Sequence, residues 1–225
     1  MGAVETWLYR LSKRKSRYRL NDSIAEAVRA HHLNGDQRAV LNIGAGGEIG
    51  DLLASLDVRC IAVDIDPGRH PDYVANVEDL GIFPDASFDA VFCIEVLEHV
   101  ESPSAAVREM ERVLRPGGVL IGSTPFLLGI HDAPADYQRF TRQGLQRLFA
   151  AFDQQLLRER NGYFAAVASL MTRRFIIGSA QQQRRARFLS PLILMLASAT
   201  ELLDRWLPCN DGTTGYFFVF GKPSQ

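Results

Sequence analysis

Two neighbouring stretches constrain this chain most. The first is Ala39-Val40-Leu41-Asn42-Ile43-Gly44-Ala45-Gly46-Gly47-Glu48-Ile49-Gly50, and the second is Cys60-Ile61-Ala62-Val63-Asp64-Ile65-Asp66. The first is apolar and β-rich up to Ile43, breaks into glycines, and resumes with Ile49, Leu52, Leu53 and Leu56 at helical spacing. It therefore reads as strand, tight turn, helix. The second is a buried strand that ends in acids. Glycines at such a turn admit φ > 0 and close approach of a ligand to the backbone, and the helix that follows offers unpaired N–H groups. An acid at the tip of the second strand of a parallel α/β sheet is placed to accept hydrogen bonds from ribose hydroxyls, and Asp64 holds that position. The dinucleotide spacing G-x-G-x-x-G is absent, because counting from Gly44 puts Ile49 where its last glycine belongs.

The rest of the chain supplies the other layers. Ser23 to Leu33 reads as a helix ended by Asn34-Gly35-Asp36, and Asp72-Tyr73-Val74-Ala75 as a short third strand. Phe88-Asp89-Ala90-Val91-Phe92-Cys93 is nearly continuous in apolar residues, as a central strand buried on both faces must be. Ser104 to Leu114 is an amphipathic helix, Arg115-Pro116-Gly117-Gly118 stops it, and Val119-Leu120-Ile121 is the fifth strand. Thr141 to Phe149 is the next helix, Phe152 to Arg160 the sixth strand, and Gly215 to Gly221 the last. The expected fold is a Rossmann-like, doubly wound α/β domain spanning 1–225, with a mostly parallel seven-strand sheet. A basic arm and helix over 1–38 precede the sheet, and a helical insertion over 163–210 precedes the last strand.

Composition narrows the function classes. The chain has 225 residues, 47% of them hydrophobic, and a formal net charge of −1, so no global field gathers nucleic acid or anionic lipid. Cys60, Cys93 and Cys209 are widely spaced, which predicts no disulfide and a reducing, cytoplasmic setting. Trp7, Leu8 and Tyr9 are soon followed by Lys13, Arg14, Lys15, Arg17 and Arg19, which is not a secretion signal. This basic cluster reads either as a solvated arm or as a surface for phosphate or acidic membrane. Within the insertion, the apolar run around Pro191 to Ala199 is shorter than the roughly 20 residues needed to span a bilayer. The Arg- and Leu-rich insertion is either a buried cap, a peripheral membrane contact or a cover over an apolar acceptor.

The glycine turn and Asp64 are joined, in order, by Asp79-Leu80, Phe83-Pro84-Asp85-Ala86-Ser87-Phe88-Asp89-Ala90-Val91, Glu95-Val96-Leu97-Glu98-His99-Val100 and Leu114-Arg115-Pro116-Gly117-Gly118-Val119-Leu120. This series resembles the class I S-adenosylmethionine-dependent methyltransferases of the type 11 kind over about residues 39 to 150. The resemblance implies that the final strand of the sheet runs antiparallel and that Gly44, Ala45, Gly46, Asp64, Ile65, Asn76, Val77 and Cys93 hold S-adenosylmethionine. In the family an acid reaches the adenine amino group where this chain has Asn76, whose side-chain oxygen still accepts a hydrogen bond but without charge. Cys93 would line the methionine moiety through its backbone. Glu95 and Glu98 are either solvated acids at a helix start or catalytic groups, and His99 is expected to order its loop.

The stretch from Ser123 to Thr141 crowds polar and aromatic residues into a loop directly after a core strand, where loops carry function. It resembles a family subset with His-Asp, Pro, Asp-Tyr and Arg-Phe-Thr, and His131, Asp132, Tyr137 and Arg139 become acceptor-site candidates, His131 as the base to test first. The structural alternative is a capped loop in which Asp136 and Thr141 start helices and Arg139 pairs with an acid. No metal and no nucleic acid partner are expected. The acceptor class implied is a small molecule, a glycan or a lipid-linked group. The strand that carries Cys93-Ile94-Glu95-Val96 lacks the Asn/Asp-Pro-Pro-Tyr/Phe run of enzymes that methylate base amino groups. A non-catalytic S-adenosylmethionine-binding partner protein and a nicotinamide-dependent dehydrogenase stand as the alternatives.

Overall fold

The computed structural model describes residues 16–131, 135–176, 199–200, 202–209 and 212–224. Its elements in chain order are α1 (Leu20–Ala30), β1 (Gly35–Ile43), α2 (Gly47–Ser55), β2 (Val58–Asp64), β3 (Tyr73–Val74), β4 (Phe88–Ile94), α3 (Pro103–Val113), β5 (Leu114–Pro125), α4 (Arg142–Leu148), β6 (Asp153–Glu159), α5 (Tyr163–Ile176) and β7 (Gly215–Gly221). Single 3-10 turns occupy Pro67–Arg69 and Leu97–His99.

The strands form one sheet of seven in the order β3-β2-β1-β4-β5-β7-β6. β1 lies parallel to β2 and to β4, β2 to β3, and β4 to β5. Hydrogen bonds from Gly117 N–H to the Lys222 carbonyl and from Phe126 N–H to the Thr214 carbonyl, paired in opposite senses, make β7 antiparallel to β5. The sheet is thus the one expected, mostly parallel with its final strand reversed.

Chain order changes direction between β1 and β4, where crossovers leave toward opposite edges, so a crevice opens beyond the carboxyl ends of these two strands. Their register places Ile43 beside Cys93, and Cys93 beside Gly122. β4 is buried along nearly its whole length, with Ala90, Val91, Phe92 and Cys93 without exposure. Full burial of a side chain such as Val91 or Phe92 contributes about 1.5–3 kcal/mol. α3 covers the sheet with Ala106, Val107, Met110 and Val113 on one stripe.

Gly122, in the middle of β5, is a packing requirement. A Cβ there would stand 2.1 Å from Phe218 Cε2 and 3.0 Å from the Cys93 carbonyl oxygen. Phe218 belongs to an aromatic cluster in which Phe149 and Phe220 stack at 4.6 Å.

Several expected boundaries move. The first helix starts earlier, at Leu20, and the third strand shrinks to Tyr73–Val74 because the Asp72 carboxylate turns back to accept the Ala62 amide at 2.7 Å. β5 begins at Leu114, so Arg115-Pro116-Gly117-Gly118 ends α3 and belongs to the strand, with Gly117 at φ +77 making the bend. Thr141 caps α4, its Oγ1 accepting the Gly144 amide at 3.0 Å.

The chain divides into two compact units. The larger comprises residues 21–124, 132–158 and 217–225, and the smaller comprises 1–20, 125–131 and 159–216. In the smaller unit, Asp204 caps α5 by accepting the Phe164 and Ala165 amides at 2.9 Å each. Asn161 Oδ1 accepts from the Thr214 amide at 2.8 Å and from both threonine hydroxyls at 213 and 214. Of the expected basic arm, residues 1–15 lie outside the described residues, as do 177–198 of the insertion. Among the described residues no helix is long and apolar enough to cross a membrane.

Candidate active site

The turn after β1 is built from left-handed backbone. Gly44, Gly46 and Gly47 have φ of +91, +77 and +65, values that side chains resist. A Cβ on Gly44 would also lie 2.9 Å from Val96 Cγ2, so only hydrogen leaves room for the loop that follows β4. α2 starts at Gly47 with Gly46 as its cap and no side-chain cap bond, which leaves first-turn amides open to a ligand.

Asp64 ends β2 and is 9% exposed. Its Oδ2 accepts the Ala45 amide at 2.8 Å and its Oδ1 accepts the Asp66 amide at 2.9 Å. A carboxylate offers about four acceptor positions, so the same group that fastens the glycine turn retains capacity for hydroxyl donors. Beside it Ile65 exposes 68% of its surface, an apolar side chain presented where the backbone leaves the sheet. Asn42 is almost wholly buried below the turn, its Nδ2 donating to the Gly44 carbonyl at 3.4 Å, while its Oδ1 has no hydrogen-bond partner among the described residues. A buried acceptor left open, a carboxylate at the strand tip and an exposed apolar face together suit a ligand that carries a cationic amine, a ribose and an aromatic base.

Gly44, Ala45, Gly46, Asp64 and Ile65 are therefore gathered at one place, with Cys93 in register beside Ile43. Burial, followed by the nearby Glu98 charge, pushes the Cys93 thiol far above its ordinary value, so it acts as packing and not as a nucleophile. Asn76 is exposed and its Oδ1 accepts the Glu78 amide at 3.0 Å, so it closes a local turn before it serves any ligand. Val77 is buried.

The loop after β4 departs from expectation in one respect. Glu98 is not a solvated helix-start acid, because it has no exposure at all. Its carbonyl accepts the Tyr137 and Gln138 amides at 2.8 and 3.3 Å, and Gln138 Nε2 donates to the Val100 carbonyl at 2.9 Å. His99 Nδ1 is hydrogen-bonded to the Ala135 carbonyl, so the histidine orders its loop as expected.

Arg139 grips Asp136 with both terminal nitrogens, at 2.5 and 2.7 Å. That hydrogen bonding, and then the charges of Asp136, Glu98 and Glu95, hold the guanidinium above its ordinary pKa. Arg139 pairs with an acid, as the capped-loop alternative requires, but Asp136 spends itself on that pair and starts no helix. Tyr137 is half exposed. His131 falls in the smaller unit, Tyr137 and Arg139 in the larger, and Asp132 lies outside the described residues.

Glu95 is the residue that sequence reasoning undervalued. It takes φ +56, a left-handed conformation that costs a residue with a side chain about 1–2 kcal/mol. Ser123, fully buried on β5, donates its hydroxyl to Glu95 Oε1 at 2.9 Å. Its place directly after a central strand was visible in the sequence, but its backbone strain was not.

Comparison with known proteins agrees with this geometry. Residues 41–122 match the family described as "Methyltransferase domain". The chain is 39% identical over 100 residues to the ubiquinone biosynthesis O-methyltransferase of Xanthomonas oryzae pv. oryzae, an alignment covering 38% of this chain and 42% of that protein. The chain thus spans about two fifths of the length of the curated relatives it matches. Among solved structures it is similar to geranyl diphosphate C-methyltransferase from Streptomyces coelicolor, with a TM-score of 0.57 at 13% identity, covering 89% of this chain and 77% of that one. It is also similar to the cyclase SpnF, with a TM-score of 0.59 at 19% identity, covering 91% and 82%. These two show the fold alone. Residues 41–122 thus match a methyltransferase domain, and the seven-strand sheet around them has the fold of the class I S-adenosylmethionine-dependent methyltransferases.

Proposed function

We propose that the chain binds S-adenosylmethionine beyond the carboxyl ends of β1 and β4 and transfers its methyl group to a hydroxyl of a small-molecule acceptor. The observation that carries this is Asp64, a nearly buried carboxylate at the tip of β2 tied to the glycine turn through the Ala45 amide. The cofactor, when bound, supplies a methyl group made electrophilic by its sulfonium. Asp64 would hold the ribose hydroxyls, Ile65 would cover a face of the base, and the open acceptor of Asn42 would face the amine. The chemistry asks little more of the protein than to hold a nucleophile in line and to exclude water, which supplies much of the rate.

A hydroxyl acceptor is supported by the O-methyltransferase relatives, and an acceptor site beside the loop that follows β4 is supported by that loop's place at the carboxyl end of the sheet. His131, Asp132 and Tyr137 remain candidate acceptor residues. Peripheral membrane contact through the insertion finds support in the exposure of Leu202, Trp206 and Leu207 in the smaller unit.

The test begins with calorimetric titration of S-adenosylmethionine, S-adenosylhomocysteine and NAD. Labelled S-adenosylmethionine is then incubated with catechol and with extracts separated into glycans, lipids and small metabolites. Label should move to a small hydroxyl-bearing product. Binding of NAD alone would overturn the cofactor assignment, and binding of S-adenosylmethionine without transfer to any fraction would favour the non-catalytic alternative.

A further inference from the structure

We propose that Glu95 is the catalytic residue that takes the acceptor's proton during methyl transfer, held in position by Ser123; this rests on the hydroxyl-methylating function proposed above. Six non-glycine residues among those described have positive φ: Arg19, His32, Asp57, His70, Ala86 and Glu95. All but Glu95 are exposed residues, where a left-handed step simply reverses the chain. Glu95 is half-buried and lies one residue beyond the end of the central strand. Strain kept at such a place is a sign of function, because a glycine or asparagine would relieve it.

The local geometry shows what the strain achieves. β4 pairs with β5 as far as Ile94 and Ser123, and the Glu95 amide adds one more bond to the Ser123 carbonyl at 2.9 Å. The left-handed turn then ends the strand and places the Glu95 side chain on the Ser123 hydroxyl, which donates to Oε1 at 2.9 Å. The next residue, Val96, packs on Gly44, so the turn carrying Glu95 abuts the glycine turn of the cofactor site. The carboxylate is thereby held at the carboxyl ends of β4 and β5, one residue before the side chain that abuts the glycine turn. Arg139, on a segment fastened to this same loop, senses its charge.

A carboxylate has only acceptor positions, so it orients a substrate through an O–H or N–H donor. In the step, an oxygen lone pair of the acceptor forms the new O–CH3 bond and the pair of the S–CH3 bond stays on sulfur, leaving a neutral thioether. The hydroxyl proton passes to Glu95, which later returns it to water. With the hydroxyl-methylating function proposed above, the acceptor class is an alcohol or phenol, and a fully substituted ether oxygen is excluded.

Three variants, Glu95→Gln, Glu95→Gly and Ser123→Ala, are compared with the parent by melting temperature, by titration with S-adenosylmethionine and S-adenosylhomocysteine, and by methyl transfer to catechol. A carboxylate beside the reacting centre favours the sulfonium cation over the neutral thioether. Glu95→Gln and Glu95→Gly should therefore both lower the preference for S-adenosylmethionine, on the order of fivefold, and lower transfer by about a hundredfold or more. Glu95→Gly removes the left-handed strain and should melt at or above the parent temperature. Ser123→Ala should keep cofactor affinity while turnover falls less than in either Glu95 variant. Unchanged preference between the two cofactors in both Glu95 variants overturns the proposal, as does transfer at the parent rate by either of them. Failure of the parent to methylate catechol would count against the hydroxyl acceptor, while the cofactor preference still tests Glu95.

Discussion

Asp64 fastens the glycine turn and, in the proposed function, also holds the cofactor's ribose, and replacing it tests both. Two ribose hydroxyls donating to the carboxylate would make charge-assisted bonds worth roughly 1.5–3 kcal/mol each. Even the lower bound, about 3 kcal/mol for the pair, corresponds to a loss of affinity on the order of a hundredfold for Asp64→Ala, since about 1.4 kcal/mol is a factor of ten. The same change strands the amides of Ala45 and Asp66, which donate to Asp64 at 2.8 and 2.9 Å. A buried donor without a partner costs about 1–3 kcal/mol. Ala45 is buried, so the unliganded variant should also melt lower, by roughly 5 °C for a chain of this size. Asp64→Asn keeps an acceptor oxygen and should fall between. Asp66 serves as control: its Oδ1 accepts only the exposed Gly68 amide at 2.8 Å, and Asp66→Ala should leave affinity within about threefold. Calorimetric titration with S-adenosylmethionine, paired with thermal melts, reads both effects. Parental affinity in Asp64→Ala, or equal losses in Asp64→Ala and Asp66→Ala, would refute the reasoning.

Other perturbations follow from the same geometry. Asp136→Asn removes the partner of Arg139 from a pair in which the aspartate side chain is 1% exposed, and breaking such a pair costs about 3–5 kcal/mol; a melting temperature within about 2 °C of the parent would contradict it. Gly122→Ala drives a methyl into Phe218 and should cost about 1–3 kcal/mol in urea unfolding, with Phe218→Leu in the same chain recovering part of the loss. The hydrogen bond from Arg112, aided by the Leu80 amide, holds Glu109 below its ordinary value of 4.5. Its stabilising contribution is therefore complete above that pH and disappears as the pH falls through the lower, folded value. Urea unfolding from pH 7 to pH 3 should lose less stability in Glu109→Gln than in the parent over the acid limb, and identical acid limbs would exclude the linkage.

How much of this was legible in the sequence depends on whether a residue's role is set by its neighbours along the chain or across it. The β1 turn, the acid at the tip of β2 and the buried β4 announce themselves because strand, glycine and acid lie within a few residues of one another, and their order fixes their places in a parallel sheet. The reversal of β7 was likewise expected, by resemblance, and its hydrogen bonds to β5 bear it out. Gly122 shows the opposite case. It falls just past the expected fifth strand and carries no signal of its own, and only the ring of Phe218, almost a hundred positions away, explains it.

Glu95 and Glu98 show why the proposed acceptor side was less legible than the proposed cofactor side. The sequence leaves both open as solvated acids at a helix start or as catalytic groups, because acids in a polar stretch after a strand are ordinarily solvated. The fold instead buries Glu98 completely and turns Glu95 through a left-handed step onto a hydroxyl from the next strand of the sheet. Neither outcome follows from local composition. Each depends on which strand lies alongside, and β5 contributes Ser123 only because the crossover through α3 returns the chain next to β4. The proposed cofactor side is carried by one turn and one strand tip, so its residues are compact in sequence. The proposed acceptor side is assembled from residues that meet only after the sheet has formed, so it shows first in the strain and hydrogen bonding of side chains such as Glu95.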